Sequence, residues 1–226
     1  MMSLIEDIVN AARVGRPVIM IDAETRKNEG HLILPAQFVD SAAINFMATH
    51  CRGIISLAIT SEQARVLGLK PMVRWNDSRF QMAYTVSIEA KHGVSTGIST
   101  EDRARTIRAA INPEATASDI VTPGHVFPIV ADDGGVTARP GHTEAAIEIC
   151  ERAGLFPAAV LCAIMSADGS MAGREELRQL AGHHNLPIGR VSDLAYPPAQ
   201  VHPSQQLGTL PFASRDCQRL RYASGQ

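Results

Sequence analysis

Residues 125–165 read HVFPIVADDGGVTARPGHTEAAIEICERAGLFPAAVLCAIM, and this stretch decides the architecture. His125 to Ala131 is rich in apolar and β-branched residues and predicts a strand. DDGGVTARPG is too rich in glycine and polar residues for a regular element and reads as a connection. TEAAIEICERA repeats its apolar residues at helical spacing, and AAVLCAIM is again a buried-strand run. Strand, connection, helix and strand in that order have the spacing of a crossover. Upstream the spacing differs: Val18 to Ile21 is a β-branched run ending at Asp22, AETRKNEG is polar, and His31 to Pro35 is strand-like, as in a hairpin. A chain that mixes hairpin and crossover spacings predicts an α+β fold, with mixed β-sheets and surrounding helices, over a strictly alternating doubly wound one.

The other elements follow the same rules. Leu4, Ile5, Ile8, Val9 and Ala12 form the apolar face of an opening helix that Gly15 and Pro17 stop. Asp40 or Ser41 caps a helix through His50, Ile54 to Ile59 is a buried strand, and Ser61 starts a short helix ending near Gly68. Residues 70–82 read as a long loop into Ala83 to Glu89, which alternates like a half-buried strand. Ser99 with Asp102 is a capping-box signature for the helix EDRARTIRAAI. A helix near 173–184 and a short strand near 187–191 complete one domain over residues 1–196. Residues 197–226, rich in Pro, Gln and Ser, predict an extended or partly disordered C-terminal tail.

Composition narrows the function. The 226 residues carry a formal net charge of -2 and only 4% aromatics, which argues against nucleic-acid partners and anionic membrane surfaces. Nowhere do eighteen apolar residues run together, and Met1 to Gly15 lacks the basic start and continuous apolar run of a signal peptide. The expectation is a cytoplasmic protein with a small-molecule partner. Cys51, Cys150, Cys162 and Cys217 form no CxxC pair and read as buried thiols.

Four places carry chemistry. TRKNEGH sets Arg26, Lys27, Glu29 and His31 around a glycine between two strands, where a sheet can hold ionisable groups at a cleft; such loops are also commonly just solvated. In ARPGHTEAA, Arg139 and Gly141 precede His142 and Thr143 at a helix start, so backbone N–H groups, the helix dipole and a guanidinium can converge on an anion. The plain alternative has Thr143 capping the helix and Arg139 in solvent. HGVSTGISTED offers a second such start, with Thr96 among its hydroxyls, although capping alone explains Ser99 and Asp102. His125 follows a turn in TPGHVFP and is either structural or a proton carrier.

Taken in order, RKNEGHLILPAQFV, VSTGISTEDRARTIRAA, TPGHVFPIVADDGGV, RPGHTEAAIEICERAG and AAVLCAIMSADGSMA resemble the successive signatures of the 3,4-dihydroxy-2-butanone 4-phosphate synthase family. The resemblance runs from about Ile5 to Tyr196 and implies a lyase of the riboflavin pathway, a homodimer with active sites near the subunit interface. Its substrate would be ribulose 5-phosphate, converted with a divalent metal to the butanone phosphate and formate. Arg26, Arg139, Gly141 and Thr143 fall on phosphate-holding positions, and Thr96 lies in the matching substrate-side segment. Glu29 falls on an acidic-loop carboxylate, His142 on the metal-ligating histidine and His125 on an essential histidine.

The chain departs from the family's pattern at chosen points. Lys27 stands for a metal-binding carboxylate, His31 for a substrate-binding aspartate, Ser56 for a cysteine, Cys51 for a glycine and Ala163 for an acid/base glutamate. Read as losses, these predict a divergent enzyme acting on a phosphorylated sugar or related carbonyl compound, with no metal or only weakly bound Mg²⁺ or Mn²⁺ at an impaired site. Lys27, Glu29, His31, His125 and His142 are then the catalytic candidates, with His142 the metal ligand if one is retained. The alternatives are the family's ordinary reaction and a non-catalytic binding or regulatory protein.

Overall fold

The computed structural model describes residues 2–22 and 29–195. Arg26, Lys27 and the predicted tail at 197–226 lie outside the described residues. Among the described residues seven strands form one mixed sheet with helices around it, and the α+β expectation holds.

Helix α1 (Ile5–Arg13) buries Ile8, Val9, Ala11 and Ala12, the apolar stripe read from the sequence. Strands β1 (Val18–Ile21) and β2 (Gly30–Pro35) pair antiparallel with Ile21 opposite Gly30. Helix α2 (Ser41–Phe46) is capped by the Asp40 carboxylate, which accepts from Ala43 N at 2.7 Å. The helix predicted through His50 does not stay α-helical: Met47–Cys51 is a π-helical turn, closed by Arg52 in the left-handed region. That turn feeds β3 (Arg52–Ile59), and α3 (Ser61–Val66) follows.

The strand expected over 83–89 is cut down to β4 (Ile88–Ala90), with isolated bridges at Thr85 and Tyr84. Alternating residues were present, but of the expected stretch only Ile88 and Glu89 lie in the strand, and the register on β5 shifts between them. Helix α4 (Thr100–Ala110) is capped by Ser99 Oγ, which accepts from Asp102 N at 3.1 Å. β5 spans Ile120–Val130, beginning five residues before the predicted start. The Gly-rich connection holds a short helix α5 (Gly135–Ala138), followed by α6 (His142–Ala153), β6 (Ala159–Ile164), α7 (Arg174–His183) and β7 (Ile188–Arg190).

The sheet order is β4-β5-β3-β6-β2-β1-β7, with β3/β5 and β1/β7 parallel and the other pairs antiparallel. Alternation along the strands sends side chains to two cores. Ile19, Ile21, Leu32 and Leu57 pack with residues of α2, α4 and α7, while Val18, Met20, Ile33 and Leu161 pack with α1 and α6. Helices on both faces leave the strand ends as the place where polar groups can gather. Cys51, Cys150 and Cys162 are buried free thiols, as expected.

Candidate functional site

One such end is concave. The end of β1, the start of β2, the first half of β3, the end of β6 and the start of α6 surround a cleft of about 440 Å³. Asp22 N donates to Glu29 O at 3.1 Å, closing the hairpin stem and holding both carboxylate-bearing residues at the rim. Two glycines make room for the floor. A Cβ on Gly53 would sit 2.3 Å from the carbonyl oxygen of Ala163, and one on Gly141 would sit 2.5 Å from Glu144 Oε2.

Six of the residues singled out from the sequence meet in this cleft: Glu29, His31, Arg139, Gly141, His142 and Thr143. Gly141 is the N-cap of α6, so the first turn of that helix, with the positive end of its dipole, borders the cleft. Arg139 reaches the same place. Its Nη1 lies 3.5 Å from Glu144 Oε1, and its Nη2 donates to the carbonyl of Phe80 at 3.1 Å. Glu144 is buried, and its Oε1 also accepts from Asp132 N at 3.0 Å. This ion pair sets the direction of the guanidinium.

The rings of His31 and His142 lie 4.0 Å apart at 31°. His31 is held well below the ordinary imidazole range, first by burial and then by the charge His142 would carry, so it is neutral at pH 7. Its Nδ1 is buried with no hydrogen-bond partner among the described residues. Ser56 and Ala163 also line the cleft, with Ala163 directly opposite His31 in the β2/β6 register.

Two predicted residues are elsewhere in the chain. His125 and Thr96 do not line the cleft; both are exposed, and His125 Nδ1 lies 2.9 Å from Glu89 Oε2. Sequence reading missed several cleft residues: Asp22, Arg79, Phe80, Tyr84 and Glu144. Arg79 and Phe80 fall in an aperiodic loop that carries no local sign of where it folds. Glu144 offered a signal, being an acidic residue one position after Thr143 in a helix's first turn.

The profile described as 3,4-dihydroxy-2-butanone 4-phosphate synthase matches residues 6–196. A Neisseria meningitidis serogroup A protein of that name is 48% identical over 192 residues, which is 85% of this chain and 53% of the relative. The chain therefore spans about half the length of that relative. A Ralstonia nicotianae protein of the same name is 48% identical over 187 residues, covering 83% of this chain and 82% of its own. A solved structure described as this synthase in complex with two magnesium ions superposes with a TM-score of 0.81 at 36% identity, covering 85% of this chain and 95% of the other. That structure overturns one expectation. A relative this similar holds two magnesium ions, so the view of the cofactor as none or weakly bound, at an impaired site, is withdrawn. The side chain on which that view leaned most, Lys27, lies outside the described residues.

Proposed function

Because this chain belongs to the 3,4-dihydroxy-2-butanone 4-phosphate synthase family, we propose that it carries out the family's ordinary reaction, converting ribulose 5-phosphate to 3,4-dihydroxy-2-butanone 4-phosphate and formate. The observation that carries this reading is the convergence of Arg139 and the first turn of α6 on a cleft lined by Glu29, His31 and His142. The guanidinium and the helix N–H groups bind the phosphate and orient the sugar along the cleft. The half-buried His31 ring stays neutral beside His142, and the Glu29 carboxylate lines the loop side of the same cleft as a candidate proton acceptor.

The donor set suits a divalent cation. Asp22, Glu29 and His142 supply two carboxylates and an imidazole to one cleft. Among the described residues no three His, Cys, Asp or Glu side chains are grouped as metal ligands, yet magnesium needs only one or two carboxylates together with waters and substrate oxygens. Glu29 and His142 are the residues that would hold it, and the metal would polarise adjacent substrate oxygens.

A homodimer completes the proposal. The exposure of His125 and Thr96, away from the cleft of their own chain, supports a site to which a second copy brings them. Mixing a His125→Ala chain with an Arg139→Ala chain tests this: restored activity supports sharing, and additive inactivity sinks it.

The full chain incubated with ribulose 5-phosphate and Mg²⁺ is expected to release formate. No formate with either Mg²⁺ or Mn²⁺ would overturn the reading. A second reading, a divergent reaction on a related phosphorylated carbonyl compound, draws on Ala163 facing His31, the positions at which the resemblance implies a family glutamate and aspartate. The double variant His31→Asp/Ala163→Glu distinguishes the two. Formate release that begins only in the double variant favours divergence.

A further inference from the structure

We propose that Arg79 is a substrate-binding residue, a second guanidinium for the anionic group that is brought to the cleft on a turn held by Arg139 itself. This rests on the phosphate role given to Arg139 above and extends it to a residue of the 70–82 loop.

The loop is shaped by its own polar groups. Asn76 Oδ1 accepts from Ser78 N at 3.2 Å and from Ser78 Oγ at 2.6 Å, and Asn76 Nδ2 donates to the carbonyl of Met82 at 2.9 Å. Within this frame Gln81 N donates to Ser78 O at 3.0 Å, closing a four-residue turn with Arg79 and Phe80 at its middle positions. Both middle residues line the cleft that Arg139, His142 and Thr143 line.

Arg139 latches the turn. Its Nη2 donates to the carbonyl of Phe80 at 3.1 Å and lies 3.5 Å from that of Gln81, while its Nη1 lies 3.5 Å from Glu144 Oε1. Gln81 has φ +47°, in the left-handed region where a residue with a Cβ is strained. Such a conformation persists only where the surroundings impose it, and here the group that imposes it is a guanidinium of the cleft.

Arg79 keeps its charge available. Among the described residues no carboxylate pairs with it, and its ring contact is with its own neighbour, the guanidinium carbon lying 5.4 Å from the centroid of Phe80. Arg139 already shares its charge with Glu144. A phosphate monoester carries about -1.5 to -2 charges at pH 7, so Arg139 leaves part of that charge unmet. A second planar fork on the same cleft meets it through the remaining oxygens.

The test titrates full-length protein in metal-free buffer with inorganic phosphate, followed by calorimetry, so that binding is read without turnover. Arg79→Gln is expected to weaken phosphate about 10-fold, the scale of one hydrogen bond to a charged group. Arg79→Lys should weaken it less, since the charge stays and the fork goes. In formate release Arg79→Gln should raise KM for ribulose 5-phosphate by a similar factor while kcat falls far less. Arg139→Lys keeps a charge but not the fork that latches the turn, so adding Arg79→Gln to it should cost clearly less than Arg79→Gln alone. Unchanged phosphate affinity in Arg79→Gln, or fully additive losses in the double variant, would overturn the proposal. If the wild type releases no formate, the reaction assignment has failed and the phosphate titrations alone decide the role of Arg79.

Discussion

The His31 ring lies against the His142 ring, with centroids 4.0 Å apart, and the contact joins the first turn of α6 to the start of β2 across the cleft. Two imidazoles this close cannot both take a proton cheaply, and burial adds to the cost for His31.

That contact makes stability depend on pH. The unfolded chain protonates His31 near 6.5, while the folded chain resists. Between the two values the unfolded state binds more protons, so stability rises with pH there. The contribution is whole above about 6.5 and is lost as pH falls toward the lowered native value. The urea midpoint should drop between pH 7.5 and pH 5.5, and drop less in His31→Asn. His50 and His184 are lowered too, chiefly by burial, so the difference between the two proteins is the readout. Equal drops would show that His31 protonates freely in the fold.

Arg139 and Glu144 form a pair whose removal should be asymmetric. Arg139→Met leaves the buried Glu144 carboxylate with fewer donors and is expected to cost about 1–3 kcal/mol. Adding Glu144→Gln should recover part of that loss, since the amide carries no charge to leave unpaired. Chemical denaturation of the wild type, both single variants and the double variant measures the coupling. Strict additivity would mean that the 3.5 Å contact contributes nothing to the fold.

Gly53→Ala tests the cleft floor. The new methyl would meet the backbone oxygen of Ala163 at 2.3 Å, and backbone cannot swing aside as a side chain would. β3 and β6 must separate, with an expected loss of about 1–3 kcal/mol and weaker substrate binding. A variant with wild-type melting temperature and KM would show that the two strands part easily.

Much of this protein is legible from its own residues. Ser99 and Asp40 announce helix starts by a local rule, the alternation of Val18 to Ile21 serves two cores, and RPGH marks the start of the helix that borders the cleft. These features depend on neighbours in sequence, so the sequence displays them. The shortening of the expected 83–89 strand to Ile88–Ala90 does not, because a ladder needs a partner and the partner is remote.

The sequence by itself determined the mixed α+β class, the family signatures and six of the residues that meet in the cleft. Only the tertiary structure decided that the His31 ring packs against His142, that Glu144 orients Arg139, and that Glu89 rather than a cleft residue faces His125. The reason is physical. Periodicity and capping are set over one or two turns of chain, whereas burial, ring contacts and the register shift between β4 and β5 arise from strands and helices far apart in sequence.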